Sequence, residues 1–233
     1  MVSVVIPTLN EAPRIAPLLA ALRADPWPSE AIIADGGSED GTAGAARAAG
    51  ATQVLVAPRG RGAQLGAGLA LARGEAVLML HADTRPRRGI VTAVGTALAA
   101  APQAVGGNFR LLFDGGTGFD AWLGGFYAWL RRRGLFYGDS GIFVRRAVLE
   151  AVGGVRPIAL MEDYDLVRRL RTAGPLLCIA DPPLVTSSRR FAGRHPARIV
   201  AGWAWLHARH LAGADAARLA RAYDSERRRC AGG

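Results

Sequence analysis

Three aspartates stand at positions where side chains can do chemistry. Asp35 follows the apolar run Ala31 to Ala34, Asp83 follows Ala76 to Leu80 through His81 and Ala82, and Asp163 opens a helical pattern in Met161-Glu162-Asp163-Tyr164-Asp165. Carboxylates just beyond parallel strands lie where open α/β sheets collect their ligands. Each has a plainer reading too. Asp35 suits a helix N-cap, Asp83 a turn ahead of Pro86, and Glu162, Asp163 and Asp165 the positive end of a helix dipole.

Cationic partners are close in sequence. Arg59, Arg61 and Gln64 sit on the glycine-rich stretch 59 to 68, and guanidinium groups match phosphate oxygens in shape and charge. Arg189-Arg190-Phe191 and Arg194-His195 follow the last apolar run and are placed to close over an anionic ligand. All 29 basic residues are arginine. Without lysine the chain has neither the amine of a P-loop nor a Schiff-base nucleophile.

The elements that position these residues follow from periodicity. Val2 to Ile6, Ala31 to Ala34, Gln53 to Ala57 and Ala76 to Leu80 are predicted strands. Between them come helical patterns at Glu11 to Ala24, through about Ala49, and from the glycine-rich stretch to Gly74. That alternation predicts an α/β domain with a mostly parallel central sheet flanked by helices. Further along, helices are predicted at Ile90 to Ala101, Phe119 to Leu130 and Glu162 to Thr172. Strands are predicted at Val105 to Phe113, Gly138 to Val144, Leu176 to Ala180 and Leu184 to Ser188, ahead of a helical tail. At 233 residues one domain is expected over residues 1–192, with a helical extension at 193–233.

A dinucleotide-binding reading fails at the first strand–helix turn. Pro7-Thr8-Leu9-Asn10-Glu11 holds no glycine, whereas a pyrophosphate needs glycines there to approach a helix N-terminus. The formal charge of +10 invites a polyanion. The arginines are scattered, however, without the interleaved stacking aromatics of a single-strand groove, so no nucleic-acid partner is expected.

Taken in order, Pro7-Thr8-Leu9-Asn10-Glu11, Asp35-Gly36-Gly37-Ser38-Glu39-Asp40-Gly41-Thr42, His81-Ala82-Asp83 and Glu162-Asp163-Tyr164-Asp165-Leu166 resemble a family 2 glycosyltransferase of the GT-A fold. The stretch from Arg59-Gly60-Arg61 to Met161-Glu162-Asp163 is similar to a small subgroup associated with arsenosugar biosynthesis. The resemblance implies a nucleoside-diphosphate sugar donor, held by Pro7, Thr8, Asn10, Glu11, Asp35, Arg59, Arg61, Gln64, Ala82, Asp83 and Arg190. It also implies inversion with Asp163 as general base, and a small-molecule or lipid acceptor. Asp83, with His195 as a further ligand, would hold Mg²⁺ or Mn²⁺, since hard cations take carboxylate and phosphate oxygens. The subgroup often carries asparagine where this chain has Gly66, which puts a contact there in doubt.

Two other readings stay open: a nucleotidyltransferase, although the expected lysine-bearing loop is missing, and a non-catalytic module on a membrane surface. Phe119, Trp122, Phe126 and Trp129 recur at helical spacing just before Arg131-Arg132-Arg133, as core aromatics do and as interfacial helices also do. Two cysteines, no signal-like start and no long apolar run fit a cytoplasmic protein, with contact at the inner membrane face as an option.

Overall fold

The computed structural model describes residues 1–188, 195–216 and 218–221. Seven strands form a single sheet: β1 (Val2–Thr8), β2 (Ser29–Asp35), β3 (Gln53–Val56), β4 (Ala76–Met79), β5 (Gly106–Phe113), β6 (Ile142–Arg145) and β7 (Leu176–Thr186). Their order is β3-β2-β1-β4-β6-β5-β7. β1 pairs in parallel with β2 and with β4, β2 with β3, and β5 with β7. β6 alone runs against its neighbours, β4 and β5.

Helices flank the sheet: α1 (Ala12–Arg23), α2 (Thr42–Ala48), α3 (Arg61–Leu69), α4 (Ile90–Ala100), α5 (Gly118–Arg132), α6 (Arg146–Ala151), α7 (Glu162–Ala173) and α8 (Pro196–Leu211). Strand pleating divides the core in two, because successive side chains point to opposite faces. Val2, Val4 and Ile6 meet Ile15, Leu18, Leu19 and Leu22 of α1 and Val91, Val94 and Leu98 of α4 on one face. On the other, Val5, Ile32, Val77 and Met79 meet Leu65 of α3, Leu149 of α6 and Leu166, Val167 and Leu170 of α7. Burial on both faces explains why the central strands read as unbroken apolar runs rather than as alternation.

The structure departs from the sequence expectation in several places. The predicted strand at Gly138 to Val144 begins instead as a 3-10 turn, Gly138–Ser140, and pairing starts at Ile142. Gly141, at φ 64°, turns the chain between the two, a conformation that favours glycine. The two strands predicted at Leu176 to Ala180 and Leu184 to Ser188 are one strand, β7, with an irregularity opposite β5 between Phe109 and Leu111. A bulge absorbs Asp181-Pro182-Pro183, whose polarity and prolines look like a break when read locally. The short helix α6 is not anticipated from periodicity, for it offers less than two full turns.

Helix α5 begins with a capping box in which the Thr117 hydroxyl and the Asp120 carboxylate bond each other's backbone amides. α8 packs its Ile199 and Trp203 against Leu123, Phe119 and Phe126 of α5. Among the described residues no helix is long and apolar enough to cross a membrane.

Candidate functional site

Parallel pairing fixes one end of the site. The register of β1 and β2 sets Thr8 beside Asp35, both at the carboxyl ends of their strands. The Thr8 hydroxyl donates to Asp35 Oδ1 at 2.9 Å, while the Ser38 amide donates to Oδ2 at 2.8 Å and its hydroxyl to Oδ1 at 2.5 Å. Burial opposes the charge on Asp35, but the donors from Ser38, Thr8 and Gly37 outweigh it and hold the carboxyl below its ordinary value. Asp35 is therefore a buried, ionised acceptor aimed from the end of β2.

The loop after β1 is tied to the loop after β2. Asn10, at φ 55°, gives its amide to Ser38 Oγ and accepts the Glu39 amide, and the Glu11 and Ala12 amides donate to Thr42 Oγ1 and Asp40. The Glu11 carboxylate pairs with Arg14. Gln64, buried at 5% exposure, donates from its amide nitrogen to the carbonyls of Thr8 and Ala34 at 2.7 and 2.8 Å. It pins α3 across the ends of β1 and β2, a positioning task that its place in the sequence does not show. Gly36 lies against it, since a Cβ there would stand 3.0 Å from the Gln64 side chain.

The other end gathers around Arg61, the first residue of α3 and one turn from Gln64. Its guanidinium pairs with Glu162 through Nε, approaches His81 Nε2 at 3.0 Å through Nη1, and donates to Asp163 Oδ2 at 2.9 Å through Nη2. Asp163 also accepts the Gly138 amide at 2.8 Å and, on Oδ1, the Tyr164 amide at 2.7 Å. Burial pushes the Asp163 carboxyl upward, yet Arg61, the two amides and His81 together hold it below the ordinary aspartate value. Glu162 goes the other way: burial and the charge of Asp163 raise it against the pull of Arg61.

Gly138 lies tight against His81 and Asp163. A Cβ there would lie 3.0 Å from His81 Nε2 and 3.2 Å from Asp163 Oδ2. Under Arg61 is a small cavity whose walls include Pro7, Leu65, Met79, His81, Asp163 and Leu166. Tyr137 and Tyr164 stack beside it at 6.3 Å, and the Tyr137 hydroxyl meets His207 of α8 at 2.8 Å. Burial and the nearby Asp163 charge raise the Tyr137 phenol above its usual value, so it stays neutral.

The remaining expected residues are spread around these two groups. Ala82 is buried and Asp83 partly exposed in the loop beyond β4, while Arg59 is exposed ahead of α3. His195 caps α8, its Nδ1 accepting the Ala197 amide at 3.3 Å. Arg190 lies outside the described residues. Sequence reasoning passed over Ser38 as a loop residue, took Gly138 as the start of a strand, and left His81 and Glu162 without a functional role. Contacts across 20 to 101 positions of chain reveal what Gly138, His81 and Glu162 do. Ser38 alone left a local signal, the Asp-x-x-Ser spacing of an Asx-type turn.

Residues 3–143, more than half of the chain, match the model of the family described as Glycosyl transferase family 2. The chain belongs to that family. The matched span of this family 2 protein contains Asp35, Arg61 and Asp83 and stops short of Asp163. No curated protein matches it by sequence.

Solved structures with the same fold include the mannosyltransferase PcManGT from Pyrobaculum calidifontis in complex with GDP-Man and Mn²⁺. It is 23% identical at TM-score 0.66, with 88% of this chain and 61% of that chain covered. S. aureus TarS 1-349 in complex with UDP-GlcNAc is 17% identical at TM-score 0.68, with 84% and 60% covered. Glucosyl-3-phosphoglycerate synthase from Mycobacterium tuberculosis, solved with Mn²⁺, UDP and glucosyl-3-phosphoglycerate, is 21% identical at TM-score 0.56, with 80% and 70% covered. The fold is thus that of the GT-A glycosyltransferases. This chain spans about three fifths of the length of the first two.

Proposed function

We propose that this family 2 protein transfers a sugar from a nucleoside-diphosphate donor to an acceptor hydroxyl, with inversion. The observation that carries the reading is the placement of three carboxylates, at the carboxyl end of β2, in the loop beyond β4 and at the start of α7, within a domain of this family. Neighbours of the same fold hold GDP-Man or UDP-GlcNAc, which supports a donor of that class.

In this reading Asp35 accepts hydrogen bonds from the base or ribose, and the loop from Pro7 to Glu11 packs around the nucleoside. Asp163 accepts the acceptor's hydroxyl proton as that oxygen bonds to the anomeric carbon. The bond from that carbon to the diphosphate breaks, and its electron pair stays on the departing phosphate oxygen. An ionised Asp163 suits a base, because a carboxylate already charged can take the proton once the hydroxyl reaches it. Arg59 and Arg61, on the glycine-rich stretch, are the cations that this reading assigns to the diphosphate.

Among the described residues no cluster of three His, Cys, Asp or Glu side chains is built to cage a metal. A single carboxylate, Asp83, together with the donor's phosphates is nevertheless the donor set that Mg²⁺ and Mn²⁺ commonly use. Such an ion, when bound, supplies positive charge against the charge developing on the leaving diphosphate. Mn²⁺ in two of the neighbours supports this choice. The acceptor is a small molecule or lipid in this reading.

A thermal-shift series with nucleoside diphosphates and their sugars, with and without Mn²⁺ or Mg²⁺, tests the donor site, since a ligand of the folded state raises Tm. The expected result is a metal-dependent rise for one base, lost in Asp83→Ala. A wild-type protein that responds to no nucleotide would sink the assignment.

A further inference from the structure

The outer face of α5 is not a core surface. Phe119, Trp122, Phe126 and Trp129 form a continuous stacked ladder. Centroid spacings are 5.7, 5.3 and 5.9 Å and interplanar angles 14°, 5° and 17°. Arg133 ends the ladder, its guanidinium 3.7 Å above the Trp129 ring. Trp122 is 49% exposed and Trp129 42%, so both tryptophans meet solvent. Burying a large aromatic yields a sizeable hydrophobic gain, and two neighbouring tryptophans left outside mark a surface that is covered in use.

Charge indicates what covers it. The last turn of α5 carries Arg131 and Arg132, followed by Arg133, and the only acid on the helix, Asp120, is buried and bonded to Thr117 and Ser188. α8, packed on α5 through Ile199 and Trp203, has no acidic residue at all and carries its own exposed pair, Trp205 with Arg209 at 5.5 Å. The two helices thus present tryptophan and arginine with no carboxylate between them.

We propose that α5 and α8 form a docking surface for an anionic lipid bilayer. Tryptophans enter the headgroup level, where their amphipathic rings are favoured, and arginines pair with lipid phosphates. The helix has a second face: Tyr127 donates to Asp139 at 3.0 Å, next to Gly138 and hence to Asp163. One helix therefore separates the bilayer from the candidate site, a distance of about 10 Å. The inference rests on exposure and charge, and holds whether or not the transferase reading does.

The test is sedimentation of the full chain with vesicles of phosphatidylcholine alone or with 30 mol % phosphatidylglycerol (~30, set so that the surface potential is substantial), with tryptophan emission read in parallel. The expected result is partitioning onto the anionic vesicles only, with a blue shift of emission. Trp122→Ser/Trp129→Ser should lose most of the binding and the shift. Arg132→Gln/Arg133→Gln should bind roughly 25-fold more weakly, about fivefold for each arginine near the surface. These side chains are exposed, and an unchanged circular dichroism melt verifies that each variant is folded. Wild-type protein that stays in the supernatant with anionic vesicles overturns the proposal, as do tryptophan variants that bind like wild type. A concentration-dependent dimer that the same tryptophan substitutions dissociate, without vesicle binding, would overturn it in favour of a second copy.

Discussion

Asp163 receives Arg61 and two backbone amides, and this company decides its protonation. In the proposed transfer Asp163 would take the acceptor proton on a lone pair that Arg61 leaves accessible, so the guanidinium would both keep that carboxylate charged and weaken it as a base. Asp163→Asn, which keeps shape but cannot take the proton, is expected to lower kcat by about 10²–10⁴ with a much smaller change in donor affinity, read by steady-state rates beside the thermal shift. Arg61→Gln removes the cation that lowers the Asp163 carboxyl. The acid limb of the pH profile of kcat/KM, expected below the ordinary aspartate value of 3.8 in wild type, should move upward in that variant. An unmoved limb would mean that another group titrates there.

At the level of elements, what counts is how closely helices approach the sheet and each other. Gly95 of α4 lies under the Trp27 ring, where a Cβ would stand 2.2 Å from Cε2. Gly95→Ala should therefore overpack the α1–α4 layer and cost about 1–3 kcal/mol, or roughly 2–12 °C in Tm for a domain of this size. Gly44→Ala in α2 is the matched control, because nothing lies within 4 Å of its added methyl. There the better helix former should stabilise by about 0.5–1 kcal/mol. Opposite signs from one substitution in two helices, measured by calorimetry, would verify the close approach of Trp27 to α4.

Across the whole molecule, the carboxylates Asp35, Asp120 and Asp163 share a lowered folded value. Each adds stability that is fully present above the unfolded value and disappears as pH falls through the folded one. Through these three groups the urea midpoint should start to fall near 3.8, where the unfolded chain takes up protons that the folded carboxylates refuse. Glu162, raised instead, binds its proton more readily in the folded chain, so the midpoint should rise as pH falls from its folded value to 4.5, and Glu162→Gln should remove that rise. Apolar runs and helical spacing determined the parallel half of the sheet and its flanking helices from sequence alone, because period 2 and period 3.6 are local properties. The strand-end positions of Asp35 and Asp83 followed from the same pattern. Sequence did not determine that β6 runs antiparallel, that β7 spans a bulge, or that Gly138 and Arg61 meet Asp163. Those features depend on partners many residues away, and residue spacing carries no information about which distant segments pair. Nor did periodicity separate the two roles of α5, whose aromatic stripe is the same string whether buried or exposed. Only the docking of α8 on Phe119, Leu123 and Phe126 decided that Trp122 and Trp129 remain outside.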